Sequence, residues 1–267
     1  MSFATLFKMT RPVNIVIAVV TLIIGYFLLG ELPYASNGVR TPELILQALG
    51  FAAAIAFANI QNDILDLESD KANRPERPLV NGKATVKAAK IASTTFAILT
   101  IACGTAGGLL AYTAIPAIFF IALALLLIAY NMKLKHIPLL KNMTVAFLCA
   151  TPLILCLVHP TGPIESDEES LEFMTKFAFL FPAMLFAFLL TTAREIYKDL
   201  EDEIGDLKAG IMTFPLIAGP ETARRLAGAL LLFTWISLPM PVMQGTYPTL
   251  FVILTAATLT PSFAYIL

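Results

Sequence analysis

Long apolar runs alternate with short polar segments along the whole chain. A bilayer core about 30 Å thick needs roughly 20 apolar residues in a crossing helix, and most of the runs approach that length. An isolated strand cannot cross lipid because its backbone groups would stay unpaired, so the runs predict helices. The predicted spans cover residues 13–30, 44–61, 91–111, 114–132, 143–159, 172–193, 222–240 and 247–267. The pattern therefore predicts an all-α fold, a polytopic membrane helical bundle with eight transmembrane helices.

The composition excludes an ordinary soluble domain. Hydrophobic residues make up 58% of the 267 residues and charged residues only 14%, with a mean hydropathy of +0.79. Soluble chains carry roughly 25% charged residues and about 45–50% apolar ones. The formal net charge is -1, so there is no basic field for nucleic acid, and we expect no nucleic-acid partner.

Cysteine and histidine do not indicate a further chemical site. Cys103, Cys149 and Cys156 all lie in apolar runs, which favours packing in the lipid phase over a disulfide framework. His136 and His159 each stand alone at the end of a span, and we interpret both as interface anchors.

The positive charges predict the orientation of the chain. All Lys and Arg residues except Arg40 and Lys176 precede the first span or follow an even-numbered one. Cytoplasmic loops carry such an excess of Lys and Arg. We therefore expect a multi-pass protein of the cell membrane, with its amino terminus and these loops in the cytoplasm.

Two acidic segments lie on this predicted cytoplasmic side, after the second span and after the sixth. A shift of 136 residues places Asp63 on Asp199, Asp66 on Asp202, Asp70 on Asp206, and Asn59 on Glu195. Equivalent segments after four-span halves are typical of an internal repeat whose site lies between the halves. We predict one domain over residues 1–267, with halves of about 1–135 and 136–267.

The spacing of the acids indicates a metal-bound anion. In a helix, positions i, i+3 and i+7 share one narrow stripe, where carboxylates repel each other unless a cation lies between them. Mg²⁺ prefers carboxylate, water and phosphate oxygens, whereas zinc would need His or Cys. One acid-rich segment alone is commonly a solvated connection, but two with matching spacing favour a site. We expect the two rows to face each other and bind Mg²⁺ with a diphosphate.

Basic residues adjoin both acidic segments. Arg74 and Arg77 lie in a stretch stiffened by two prolines, and Arg194 and Lys198 precede Asp199. Guanidinium and ammonium groups would bind diphosphate oxygens that the metal does not contact. The alternative is that such residues only set the topology, and we favour that for four of them, namely Lys87, Lys90, Arg224 and Arg225.

These motifs resemble the UbiA superfamily of intramembrane prenyltransferases over nearly the whole chain. The first segment matches its N-D-x-x-D-x-x-x-D motif and the second its D-x-x-D-x-x-x-D motif. Three shorter matches are Arg11-Pro12-x-Asn14, Arg77-Pro78-Leu79 with Gly82, and Tyr130-Asn131 with Leu134-Lys135 and Asn142. The stretch from Arg194 to Gly210 is most similar to the archaeal-type branch of the superfamily.

The resemblance implies an enzyme that moves a prenyl group from a prenyl diphosphate to a lipid-soluble acceptor with Mg²⁺. The archaeal-type branch implies geranylgeranyl diphosphate and geranylgeranylglyceryl phosphate, in ether-lipid synthesis. An aromatic acceptor of quinone synthesis, 4-hydroxybenzoate or dihydroxynaphthoate, stays open. Outside enzymes, a cation-coupled transporter is the alternative, although its charges are expected at the midplane rather than at one face.

The resemblance also implies roles for individual residues. The implied metal ligands are Asn62, Asp63, Asp66, Asp70, Asp199, Asp202 and Asp206. The implied substrate-binding residues are Arg11, Asn14, Asn59, Asn62, Arg74, Arg77, Tyr130, Lys135, Arg194 and Lys198. Among these, Arg77, Lys135 and Lys198 are expected to neutralise charge on the leaving diphosphate. Two features depart from the pattern: the superfamily usually has nine spans, and the spacing from Tyr130 reaches Lys133 or Lys135.

Overall fold

The computed structural model describes residues 1–30, 40–159 and 167–266, with side chains described outside 72–73, 167–169, 208–209 and 261–266. Most residues in these ranges are helical. The helices are α1 Phe3–Met9, α2 Pro12–Gly30, α3 Thr41–Leu65, α4 Leu67–Asn73, α5 Val86–Ala111, α6 Ile115–Met132, α7 Leu140–Val158, α8 Asp167–Glu201, α9 Glu203–Ala209, α10 Phe214–Ala218, α11 Pro220–Ser237, α12 Met240–Met243 and α13 Thr249–Ile266. A short 3₁₀ helix covers Leu134–His136.

The polytopic membrane architecture predicted from the apolar runs is confirmed. Within the described ranges, seven helices are long and apolar enough to cross a membrane: α2, α3, α5, α6, α7, α8 and α11 with its extension to Met243. The eighth predicted span corresponds to α13, where the described apolar part, Thr249–Thr260, is shorter than a span. The count of eight is therefore not confirmed.

Capping residues explain where several helices begin. The Ser2 hydroxyl accepts a hydrogen bond from the Thr5 amide at the start of α1, and Thr85 does the same for Ala88 at the start of α5. Such side chains satisfy amide donors that lack partners inside the helix. Pro12 begins α2, where a missing N–H costs nothing and the fixed φ suits a helix.

The chain forms two compact units. Unit 1 contains Met1–Leu134 and Pro152–Lys176, and unit 2 contains Lys135–Thr151 and Phe177–Leu267. Helices α7 and α8 each contribute to both units. The sequence repeat predicts halves that divide near residue 135, and this division into repeat halves stays a prediction.

Close packing of small residues organises unit 1, where α3 packs against α2, α5 and α6. Phe120 of α6 is fully buried beside Gly50 of α3 and Gly104 of α5. A Cβ atom at Gly104 would lie 2.9 Å from the Pro116 carbonyl oxygen, and one at Gly50 would lie 2.7 Å from the Phe120 ring. Only glycine therefore fits at these two positions without displacement of a neighbour.

A buried polar cluster in unit 1 joins α2 and α3 to the end of α7. His159 Nε2 lies 3.2 Å from Glu43 Oε2, and the His159 ring meets the Tyr26 ring edge-on. The Tyr26 hydroxyl donates a 2.8 Å hydrogen bond to Gln47 Oε1. His159 is only 1% exposed, so the interpretation of this residue as an interface anchor is wrong.

Unit 2 has its own apolar core, where α11 packs against α10 and α13. Its buried cluster consists of Ala193, Ile196, Ala223 and Ala227, with partly buried side chains around them. The Tyr247 hydroxyl donates a 2.7 Å hydrogen bond to the Phe179 carbonyl oxygen, which links the segment before α13 to α8. Unit 2 thus supports the carboxyl-terminal end of α8.

Candidate functional site

The two acidic segments have the same local structure. In the first, α3 ends at Leu65 and α4 begins at Leu67; in the second, α8 ends at Glu201 and α9 begins at Glu203. Leu65 and Glu201 are 136 residues apart, and so are Leu67 and Glu203, which is the shift that aligns the aspartates. The prediction that the three acids of each segment lie on one continuous helix is therefore wrong, because each segment breaks at its middle aspartate.

The backbone of the middle aspartates explains the breaks. Asp66 has φ -90° and ψ 6°, and Asp202 has φ -86° and ψ 0°. These angles lie in the sparsely allowed region beside the α-helical one. The hydrogen bonds continue across each break, since the Asp66 amide donates to the Asn62 carbonyl and the Asp202 amide donates to that of Lys198.

A buried isoleucine lies one turn before the first acid of each segment. Ile60 and Ile196, also related by the shift of 136, are both fully buried. Ile60 belongs to a cluster with Met9, Leu79, Ala84 and Ala89 in unit 1, and Ile196 lies in the core of unit 2. Packing therefore fixes the helix end that carries each acidic group.

In the first acidic group, Asp63, Asp66 and Asp70, two of the three carboxylates pair with arginines from other segments. Arg77 Nη1 lies 3.1 Å from Asp63 Oδ1 and also donates to Asp70 Oδ2. Arg11 Nη2 lies 3.1 Å from the same Asp63 oxygen. Asp63 and Asp70 are buried, so these charge-assisted hydrogen bonds offset much of the cost of taking two carboxylates out of water.

The backbone around Arg11 is held in an unusual conformation. Arg11 has φ 53°, a left-handed angle that residues other than glycine rarely adopt. The Asn59 side-chain amide donates a 3.1 Å hydrogen bond to the carbonyl oxygen of the preceding residue, Thr10. Backbone strain of this kind concentrates at functional sites. Asn59 therefore helps to position Arg11 toward Asp63.

The second acidic group, Asp199, Asp202 and Asp206, has a different set of partners. Lys141 Nζ lies 2.7 Å from Asp199 Oδ1, and Asn142 Nδ2 donates a 2.9 Å hydrogen bond to Asp199 Oδ2. Asp199 is buried, whereas Asp202 is exposed. Burial raises the pKa of Asp206, Lys141 opposes that shift, and the other two aspartates add to it.

Several predicted residues lie at the edges of these groups. The Asn62 side-chain amide donates a 2.8 Å hydrogen bond to Asp66 Oδ2. Arg194 Nη1 lies 2.7 Å from Glu195 Oε1, and Lys198 Nζ lies 3.8 Å from Glu195 Oε2. These two cations are largely exposed and bind the glutamate that shares the helix face with Asp199.

The remaining predicted residues lie at or near helix ends. Arg74 is exposed at the end of α4, and Asn14 is exposed in the first turn of α2. Tyr130 is half-buried near the end of α6, and Lys135 is half-buried in the 3₁₀ helix. Their roles in substrate binding stay predictions.

Lys141 and Asn142 are the partners that the sequence did not identify as site residues. Lys141 is one of the basic residues after the fourth predicted span that predict the orientation, and Asn142 matches the family only through the resemblance of its loop. The available signal was a Lys-Asn pair at the beginning of an otherwise apolar span. A charge at the beginning of an apolar span needs a partner, which here is Asp199.

The donor chemistry fits magnesium that arrives with a phosphate ligand. Both groups offer carboxylate oxygens, and Asn62 adds an amide. In the part of the chain that the structure describes, no three His, Cys, Asp or Glu side chains are already grouped to hold an ion. Mg²⁺ usually binds one or two carboxylates together with substrate phosphates and waters. The carboxylate oxygens of each acidic group therefore suit magnesium that is bound together with substrate phosphates.

The fold and the two groups define a class: an all-α, multi-pass membrane protein with cation-paired carboxylates at helix ends. The model of the UbiA prenyltransferase family matches residues 8–267. The chain belongs to this family, and its identification as a prenyltransferase from sequence resemblance is confirmed.

The chain is similar to two relatives of the same name and to one solved structure of the family. A digeranylgeranylglyceryl phosphate synthase from Methanoculleus marisnigri is 33% identical over 219 residues, or 82% of this chain and 70% of that protein. A protein of the same name from Methanobrevibacter smithii is 31% identical over 225 residues, or 84% and 73%. A UbiA homolog from Archaeoglobus fulgidus bound to DMAPP and Mg²⁺ has a TM-score of 0.71 at 18% identity, covering 98% of this chain and 85% of that one. This last likeness shows the shared fold.

Proposed function

We propose that this protein transfers a geranylgeranyl group from geranylgeranyl diphosphate to geranylgeranylglyceryl phosphate, with Mg²⁺, in ether-lipid synthesis. Support comes from the family and from relatives named digeranylgeranylglyceryl phosphate synthase. The observation that carries the proposal is the pair of equivalent acidic groups, each with a buried carboxylate paired to a cation. Such groups suit a bound metal diphosphate and do not suit a neutral substrate.

The reaction breaks the allylic carbon–oxygen bond of the prenyl diphosphate and forms an ether bond to the acceptor hydroxyl, whose proton is released. Bound Mg²⁺ supplies charge neutralisation for the departing diphosphate. Arg11, Arg77 and Lys198 are proposed to bind diphosphate oxygens. The charge that develops on the diphosphate is proposed to be neutralised by Arg77, Lys135 and Lys198. The surrounding apolar helices exclude water, which would otherwise capture the allylic cation.

Both acidic groups are proposed to serve one reaction, because they share spacing, helix breaks and buried support. The proposed metal ligands are Asn62, Asp63, Asp66, Asp70, Asp199, Asp202 and Asp206. The further proposed substrate-binding residues are Asn14, Asn59, Arg74, Tyr130, Lys135 and Arg194. If both groups are needed, neutralising the buried acid of either one strongly slows the reaction.

The test uses purified protein with geranylgeranyl diphosphate, Mg²⁺ and one acceptor at a time, with products identified by mass spectrometry. We expect an ether product with geranylgeranylglyceryl phosphate that disappears when Mg²⁺ is chelated. Prenylation of 4-hydroxybenzoate or dihydroxynaphthoate alone would replace the proposal by the aromatic alternative.

Matched carboxamide variants test the site itself. Asp63→Asn and Asp199→Asn are each expected to lower kcat by about 10²-fold or more, because each removes a charge that acts on the reacting diphosphate. Glu68→Gln is the control, since Glu68 is an exposed acid on α4 whose ion-pair partner, Lys71, is also exposed. Equal rates for Asp63→Asn and Glu68→Gln would contradict the assignment.

A further inference from the structure

Two neighbouring residues at the start of α7 divide the two oxygens of Asp199 between them. Lys141 Nζ lies 2.7 Å from Oδ1, whereas Asn142 Nδ2 donates to Oδ2 at 2.9 Å. One oxygen therefore has a charged partner and the other a neutral one. Lys141 and Asn142 differ in how easily another cation or donor can take their place beside Asp199.

Asn142 is a fixed partner. Its residue is fully buried, and its Oδ1 atom is buried with no hydrogen-bond partner in the described parts of the chain. A fully buried amide in a close-packed interior has no room to turn, so its surroundings hold it in place. Asp199 Oδ2 therefore stays oriented whatever happens at the other oxygen.

Lys141 is an exchangeable partner. Its side chain is 17% exposed and therefore less enclosed than that of Asn142, which is fully buried. Lysine is a compact point charge on a flexible four-carbon stem, unlike the rigid planar fork of arginine. The equivalent acid of the first group, Asp63, is instead bound by two arginines at one oxygen. A divalent cation can replace the lysine ammonium more easily than these two guanidinium groups.

We propose that Lys141 is the built-in counter-cation of Asp199 and competes with a divalent cation for Asp199 Oδ1, while Asn142 positions Oδ2. This inference rests on the proposed function for the identity of the ion, Mg²⁺. Without metal, Lys141 offsets the cost of burying the Asp199 carboxylate. With metal, the ammonium leaves Oδ1 and is free to bind an anion, so the protein gains metal affinity when a diphosphate is present to receive it.

The experiment measures Mn²⁺ binding by electron paramagnetic resonance on the full-length protein in detergent, without any prenyl substrate. Lys141→Met is expected to bind Mn²⁺ about fivefold more tightly, because the competing charge is gone. Its Tm in the presence of a chelator is expected to fall and to recover when Mn²⁺ is added. Unchanged Mn²⁺ affinity in folded Lys141→Met overturns the proposal.

Two further variants separate this effect from a general change in charge or stability. Arg225→Met removes a cation from the same unit, but its partner Glu221 is exposed, so neither Mn²⁺ affinity nor metal-dependent Tm should change. Lys141→Arg retains the charge on a rigid, planar guanidinium group that can bind a carboxylate through two hydrogen bonds. This variant is expected to weaken Mn²⁺ binding. Equal affinity in Lys141→Arg and the wild type overturns the proposal even if Lys141→Met does not fold.

The outcome is independent of the prenyl acceptor. If Lys141→Met binds Mn²⁺ more tightly than the wild type but the wild type makes no ether product, only the proposed function is contradicted. Protein that makes the ether product but shows no Lys141 effect would contradict only this inference. Asp199→Asn should remove the difference between Lys141→Met and the parent, since the lysine acts through that carboxylate.

Discussion

The two equivalent buried aspartates have different cationic partners. Asp63 and Asp199 occupy the same position of the repeat, yet one is paired with two arginines and the other with a lysine. Each pairing satisfies a buried carboxylate, which would otherwise be costly. The equivalent acids therefore share a position and burial but differ in the strength with which protein cations hold them.

His159 shows the same principle away from the acidic groups. It is buried against Glu43 and Tyr26 and follows directly after α7. Burial lowers the pKa of His159, Glu43 opposes that shift, and the positive charges of Lys176 and Arg40 add to it. The folded protein thus favours the neutral imidazole.

This environment predicts a loss of stability in mild acid. The unfolded chain takes up a proton near the ordinary histidine pKa of about 6.5, but the folded protein does so only at lower pH. The contribution of His159 to stability is therefore present above that value and is lost as the pH falls below it. Thermal unfolding in detergent between about pH 7 and pH 5 measures the effect.

Two glutamine variants distinguish His159 from other acid-sensitive groups. His159→Gln should flatten the fall in Tm over this range, because it removes the titrating group. His136→Gln should leave the wild-type profile in place, since His136 is exposed. An unchanged profile in His159→Gln would assign the acid sensitivity to another residue.

The sequence predicted some of these residues and missed others for a physical reason. The aspartates could be found because their spacing of three and four residues is local and occurs twice. The partners Lys141 and Asn142 could not, because they lie 58 and 57 residues before Asp199 and only the fold brings them to it. The same holds for His159, whose partner Glu43 lies 116 residues away.

At the level of elements, the contact of α6 with α3 and α5 depends on two glycines. Phe120 is fully buried against Gly50 and Gly104, and the Pro116 carbonyl leaves no room for a methyl group at Gly104. Small residues permit such close helix approach in membranes, where packing rather than water exclusion drives association.

Gly104→Ala is expected to lower the stability of unit 1 by about 1–3 kcal/mol, because α5 must move away from backbone atoms of α6. Gly228→Ala is the matched control in α11, where an added Cβ atom has nothing within 4 Å. That substitution should raise stability by about 0.5–1 kcal/mol, since alanine favours the helix. Unfolding by SDS titration measures both, and a loss of equal size in the control would refute the packing explanation.

The apolar pattern predicted the helices well but not their interruptions. A run of apolar residues depends on helix length and lipid contact, which is why seven of the predicted spans correspond, within the described residues, to helices long and apolar enough to cross a membrane. The breaks at Asp66 and Asp202 depend on backbone angles near ψ 0°, and no apolar or polar pattern encodes these. The extent of α8, which begins at Asp167 and ends at Glu201, also exceeded its predicted apolar run.

At the scale of the molecule, the distribution of positive charge sets the expected orientation. Multi-pass insertion in a membrane is supported by the seven apolar helices and by the family. We propose that the membrane is the cell membrane and that both acidic groups face the cytoplasm, because the basic loops adjoin them. The convergence of the two groups on one diphosphate stays a prediction.

Cysteine labelling tests this orientation. In a background without native cysteines, Tyr112→Cys in the loop after α5 should react with a membrane-impermeant maleimide added to intact cells. Glu76→Cys, in the loop after α4, should react only after the cells are permeabilised. Both side chains are exposed, so access to the reagent depends on the side of the membrane. The reverse pattern would invert the topology.

The interruption at each middle aspartate has a consequence for how variants behave. Alanine strongly favours a continuous helix, so Asp66→Ala or Asp202→Ala would straighten the segment as well as delete an oxygen ligand. The first and third acids would then point in new directions. A loss of activity would therefore combine the effect of the changed backbone with the effect of the missing carboxylate. Asparagine tolerates the same backbone angles and keeps one oxygen, so Asp66→Asn and Asp202→Asn isolate the charge.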